Sequence, residues 1–338
     1  MSASPDSSPD LDPKVEPATK VKSILFRAVT WILAFGCFYL VYNRTEKAAQ
    51  RDNLTALEYL VQFFSEADWV RWLMLMVSYS MVFFIIDTHA TWRVIKWFNT
   101  SDIKFINVLP IRASAYILSL VNEQVGKGAM SLYLLQRYDV PVWKALSSMI
   151  LLGIVEIYQL LIFSAVGVFF YYDLVLEAST MLPLAKILTS VYAFAFIYFP
   201  FHILYFNGSI LKNSTLRDKP ILHSLKKARL LDYFLILLCK APNLLGAVIV
   251  YTFALDLFSV DVGFGQMMAF LPVIFIAAAL PLPFHAGALL LWTVLFPAFP
   301  EVGAFSLVMH TFFVSFNAVI GLIFLPKANK ELFVEGRA

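Results

Sequence analysis

Six runs of apolar residues, each about as long as a bilayer is thick, limit what this chain can fold into. They cover residues 24–42, 69–90, 143–171, 181–207, 232–257 and 305–325. A helix needs about 20 apolar residues to cross the hydrocarbon core. Only helices and closed barrels span that core, because every backbone N–H and C=O must be satisfied internally. Barrel strands would be short and strictly alternating, and these runs are neither. The chain therefore reads as an all-α polytopic membrane protein. Composition agrees: 14% of its 338 residues are charged and 60% hydrophobic, whereas a soluble domain carries about 25% charged residues.

The flanks set the orientation. Residues 1–22 are rich in Ser, Asp and Pro and read as a disordered tail. No apolar segment of the signal-peptide kind follows the start. Residues 23–330 read as a single transmembrane domain and 331–338 as a second tail. Basic residues mark the cytoplasmic side. They stand before the first run or in its first turn (Lys14, Lys20, Lys22, Arg27), between the fourth and fifth (Lys212, Arg217, Lys219, Lys226, Lys227, Arg229) and after the last (Lys327, Lys330, Arg337). Both termini are expected in the cytoplasm. The net charge of +3 reflects this orientation and implies no nucleic-acid partner. Within residues 43–68, Leu57, Leu60, Val61 and Phe64 repeat at helical spacing, which predicts an amphipathic helix on the outer interface. Cys37 and Cys239 lie far apart in apolar runs and form no CxxC pattern.

Two stretches break the pattern of spans. Residues 121–128 place Asn122, Glu123, Gly126, Lys127 and Gly128 between apolar segments too short to cross a membrane. A short helix, a polar glycine turn and a second short helix read as a re-entrant hairpin, in which ionisable groups are functional candidates. Residues 264–300 contain no Lys or Arg and break at Pro281-Leu282-Pro283-Phe284-His285-Ala286-Gly287. With the 212–229 loop and the C-terminal tail on one side, this segment begins and ends outside. It is drawn as a second hairpin entering from the opposite face, and eight full spans remain the alternative. The expected fold is a helical bundle of about six spans plus two re-entrant hairpins. The units 69–206 and 231–325 then form the inverted repeat that marks many transporters.

The second arm of each hairpin would point its N-terminus at the break, which suits an anion. Lys127 and His285 would add contacts there; a snorkelling lysine and a packed helix cap are the plainer alternatives. Glu156 lies inside the third run, either bridging helices or coupling a proton. Arg93, with Trp92, Lys96 and Trp97, makes an interfacial girdle or a head-group contact. His310 and Asn317 lie inside the last run. No HExxH, GxSxG or paired-carboxylate pattern is present. No catalytic residue, metal ligand or cofactor is therefore expected.

Several of these residues resemble the flippase-like membrane region of the lysylphosphatidylglycerol synthase family. The resemblance runs from about residue 92 to residue 325. It rests on Trp92-Arg93, on Asn122 with the Val125-Gly126-Lys127-Gly128-Ala129 turn, and on Leu135-Gln136-Arg137 followed by the 140–146 approach. Glu156 and the late Pro281-Leu282-Pro283 turn complete it. The chain departs from the pattern at Val125 (proline in the family), Ala129 (acidic) and Gly153 (basic). Much of the late glycine run is replaced, and His310 stands where the family often has arginine. The resemblance implies a stand-alone member without the aminoacyl-transferase domain, in a bacterial-type inner membrane. Its implied function is to bind and translocate a charged, anionic or phosphate-bearing lipid, with no synthase activity. The alternative is a non-transporting scaffold for a lipid-modifying enzyme. The implied partners are membrane lipids, with a second copy of the chain or a membrane enzyme left open. The expected substrate-binding set is Arg93, Asn122, Glu123, Gly126, Lys127, Gly128, Glu156, His285, Gly287 and His310.

Overall fold

The computed structural model describes residues 17–121, 123–179 and 182–331, with side chains given outside 17–24, 119–121, 123–125 and 127. The described residues form thirteen α-helices and no strand. Helix α1 (Pro17–Arg51) is followed by α2 (Ala56–Ser65), α3 (Trp69–Phe98), α4 (Phe105–Val121) and α5 (Glu123–Tyr138). Then come α6 (Val142–Phe170), α7 (Tyr172–Ala178), α8 (Leu184–Phe206), α9 (His223–Lys227) and α10 (Leu230–Asp256). Helices α11 (Phe264–Ala278), α12 (Ala286–Leu295) and α13 (Val302–Asn329) complete the chain. Six of them, α1, α3, α6, α8, α10 and α13, are long and apolar enough to cross a membrane.

The remaining apolar helices are short. At about 1.5 Å per residue, α4 and α5 reach about 25 Å, α11 about 22 Å and α12 about 15 Å. A hydrocarbon core is about 30 Å thick. Each pair folds back on itself, α4 on α5 and α11 on α12.

Three boundaries differ from expectation. The first helix continues to Arg51, so the outer amphipathic helix shrinks to ten residues. It starts there because Asn53 turns left-handed (φ 56°) and Thr55 caps α2 reciprocally with Glu58. The fifth span, expected from its sequence to be interrupted at residues 240–243, is continuous, and α10 runs through Pro242. Helix α4 runs to Val121 and α5 starts at Glu123, so Gly126, Lys127 and Gly128 lie within α5 rather than in a turn. A helix tolerates glycine near its start at about 1 kcal/mol per residue. Asn122 and the tails at 1–16 and 332–338 fall outside the described residues.

The packing is preserved when the two halves are exchanged. Helix α3 packs on α10; α4 packs on α13 as α11 packs on α6; α5 packs on α6 as α12 packs on α13. A glycine sits at each of the two exchanged crossings. A Cβ on Gly167 (α6) would stand 2.6 Å from the Ala269 Cα of α11, and one on Gly321 (α13) 2.7 Å from the Ala113 carbonyl oxygen of α4. Without hydrophobic force between helices in lipid, such close backbone approach is a main source of adhesion.

The core is divided along α3. Trp72 and Met76 join a large cluster with Phe258, Phe270, Trp292 and Phe305. Ile95 packs with Ile103, Tyr133 and Leu134, and Val94 and Phe98 pack with Leu152 and Ile236. Asp87 lies on α3 between these apolar regions.

Candidate functional site: an intramembrane ion-pair network

Four helices each bring one charged residue to a common centre. Asp87 stands on α3, Arg112 on α4, Glu156 at the middle of α6 and Lys240 on α10. The Arg112 Nε–H donates to Asp87 Oδ2 at 2.7 Å, and the Tyr116 hydroxyl donates to the same oxygen at 2.7 Å. Lys240 Nζ lies 3.4 Å from Asp87 Oδ1 and 3.1 Å from Glu156 Oε2. Asp87 and Lys240 are closed off, with side chains 3% and 4% exposed. Isolated charges this deep would cost several kcal/mol each, and their mutual pairing is what makes the burial tolerable. Two carboxylates face two cations, so the network is balanced when all four are charged.

Glu156 differs from the others. Its side chain is 51% exposed, yet its neighbours one turn away, Leu152 and Gln159, are buried. On α6 those positions share a face with Glu156. The carboxylate is therefore accessible although Leu152 before it and Gln159 after it are buried. A Cβ on Gly153, one turn earlier, would meet no described atom within 4 Å, which agrees with open space there. Sequence reading placed Glu156 on an interior face; the face is interior, but the group is accessible.

A second meeting of polar groups lies at the other break. His285 and His310 have ring centroids 4.4 Å apart. His285 Nδ1 donates to the Ala278 carbonyl oxygen at 2.9 Å, which ties the start of α12 to the end of α11. Phe284 and His285 are both left-handed, with φ 55° and 50°. Helix α1 covers this break: Trp31 and Phe38 pack on Phe284, and Arg44 reaches the Thr293 carbonyl oxygen. Gly287 is buried against the Ala277 carbonyl oxygen.

The residues expected from sequence are thus distributed. His285 and His310 come together, and Glu156 joins the network. Arg93 lies elsewhere, with its Nε on His89 at 3.3 Å and its guanidinium over Trp92. Gly126 is buried and Gly128 exposed in α5. The backbones of Glu123 and Lys127 are helical, and their side chains lie outside the described atoms.

Asp87, Arg112 and Lys240 were absent from the expected set. Asp87 lies at the inner end of the second run and Lys240 within the fifth, where neither was taken as a site residue. The available signal was opposite charges inside separate apolar runs.

Together these features define a polytopic helical membrane protein with a balanced charge network in its transmembrane interior. No protein-family model, curated protein or solved structure matches the chain.

Proposed function

We propose that this protein binds a charged, phosphate-bearing lipid head group within the bilayer and translocates it across the inner membrane. This is the activity of the flippase-like region it resembles. The observation that supports the reading is Glu156, an accessible carboxylate opening from an otherwise closed intramembrane charge network. A lipid-facing bundle has no structural need to keep such a group accessible at this depth, and intramembrane ionisable groups commonly mark substrate or ion paths. The two short helix pairs and the exchangeable packing of the two halves support an inverted-repeat transporter. In that arrangement α4–α5 enters from the cytoplasmic face and α11–α12 from the outer face, with both termini cytoplasmic. The left-handed backbone at His285 falls where the resembling motif carries glycine, which adds support for the relationship.

The test is translocation in proteoliposomes carrying head-group-labelled phosphatidylglycerol, scored by quencher protection. Protein-dependent movement that is lost in Glu156→Ala is the expected result. No movement of anionic or aminoacylated phosphatidylglycerol would reject the reading.

One observation favours a non-transporting scaffold instead. The network is charge-balanced, which suits a static brace between α3, α4, α6 and α10. A brace predicts that Glu156→Gln leaves cellular function unchanged as long as the protein folds.

A further inference from the structure

Two buried amides beside the charge network lack partners. Gln159, 3% exposed, stands one turn after Glu156 on α6, and its Nε2 has no hydrogen-bond partner among the described residues. Asn243, 7% exposed, stands one turn after Lys240 on α10, and neither its Nδ2 nor its Oδ1 has a partner. Buried polar side-chain atoms are nearly always paired, and each exception calls for an explanation. Positions i and i+3 share a helix face, so each orphan amide lies beside one member of the Lys240–Glu156 pair. Helices α6 and α10 pack against one another.

The two carboxylates of the network are held differently. Asp87 accepts from Arg112, Tyr116 and Lys240, whereas Lys240 is the one partner in contact with Glu156 among the described residues. Glu156 is also the more exposed of the two carboxylates, at 51% against 3% for Asp87. It is therefore the anion that can leave, while Asp87 stays with Arg112.

We propose that Lys240 and the amides of Gln159 and Asn243 form a binding site for a phosphate monoanion, and that Glu156 fills this site as an internal anion until protonated. The inference rests on the lipid-binding reading above and deepens it. When Glu156 takes up a proton it becomes a neutral acid, and the Lys240 ammonium exchanges its carboxylate for a phosphate oxygen. The amide N–H groups of Gln159 and Asn243 then gain an acceptor. No other bond changes. The site stays balanced because one proton enters with each anion.

Among the described residues, the other groups near this exchange are few. Asp87 and Lys240 face it from α3 and α10, and Arg112 and Tyr116 from α4. Helix α11 carries no titratable residue. Helix α8 commits His202 to Tyr233, and the side chains of Glu123 and Lys127 on α5 lie outside the described atoms.

The experiment is equilibrium binding of phosphatidylglycerol to the purified full chain in nanodiscs of neutral lipid, over a range of pH, with inorganic phosphate as competitor. One proton per anion predicts that wild-type affinity rises about tenfold per pH unit of acidification while Glu156 is ionised. Glu156→Gln should bind tightly with no pH dependence. Lys240→Gln should lose at least about tenfold in affinity, and Lys240→Arg should retain most of it. A wild type as flat with pH as Glu156→Gln would overturn the exchange. Full binding by Lys240→Gln would overturn the site.

Competition by inorganic phosphate with the same pH dependence would support the site and make the free anion its ligand. If Lys240→Gln fails to fold by size-exclusion profile, the pH profile of Glu156→Gln decides alone. Proton-linked binding without translocation would reject the transport reading and leave this site standing. Normal translocation by folded Lys240→Gln would do the reverse.

Discussion

Arg112 of α4 holds Asp87 of α3 through a 2.7 Å hydrogen bond to Oδ2, and Lys240 of α10 approaches the other oxygen. Asp87 thus pairs with both cations of the network, while Lys240 also reaches Glu156. Asp87→Ala is expected to lose about 3–5 kcal/mol, because it leaves Arg112 without its carboxylate and Lys240 with Glu156 alone. Glu156→Gln should lose much less, since its carboxylate is half exposed. Thermal unfolding in detergent, read by size-exclusion recovery, compares the two. Equal losses would show that the network is not centred on Asp87.

The exchanged crossings make a steric prediction. Gly167→Ala and Gly321→Ala place a methyl group within 2.6–2.7 Å of backbone or side-chain atoms of α11 and α4. Each should lose about 1–3 kcal/mol by overpacking. Gly153→Ala meets open space and should be neutral or slightly stabilising, by up to about 1 kcal/mol from helix propensity. Melting temperatures of the three variants separate contact from propensity.

His285 carries a left-handed backbone at φ 50°. His285→Gly and His285→Ala both lose the ring contact with His310 and the hydrogen bond to Ala278. Alanine alone retains the backbone strain. The alanine variant should therefore be less stable than the glycine variant by about 1 kcal/mol. Identical melting temperatures would mean that the break relaxes out of the left-handed region.

The short helix α2 is held by the Tyr59 hydroxyl, which donates to Glu301 at 2.7 Å. Burial raises the Glu301 carboxyl above its ordinary value of 4.5, partly offset by its backbone hydrogen bond and by Tyr59. A carboxyl raised on folding contributes stability that is fully present below the unfolded value and is lost as pH rises through the folded one. Docking of α2 should therefore weaken as pH rises above about 4.5. Glu301→Gln should remove that dependence. Hydrogen exchange of the α2 amides at several pH values reads the effect directly, and a pH-independent wild type would exclude it.

Much of the architecture was legible in the sequence because hydrophobic length is a local property. A run of apolar residues long enough to cross the bilayer must satisfy its own backbone, so 69–90 and 305–325 could hardly be anything but helices. The two places with short arms were legible for the same reason: residues 286–295 are too few to span. Exact breaks were harder. Residues 126–128 look like a turn by composition, but helix α5 begins before them, since two glycines do not outweigh the hydrogen bonds of a sixteen-residue helix.

The sequence by itself determined the class of protein, the six long apolar helices, the two short helix pairs and the separate presence of Asp87, Arg112, Glu156 and Lys240. Only the tertiary structure decided that these four residues meet. Helix rotation and the crossings of α3, α4, α6 and α10 set which faces converge, and those depend on packing between segments up to 153 residues apart. The same packing closes Asp87 and Lys240 from solvent and leaves Glu156 open. Accessibility of a charge is a property of the assembled neighbours, and no residue carries it alone.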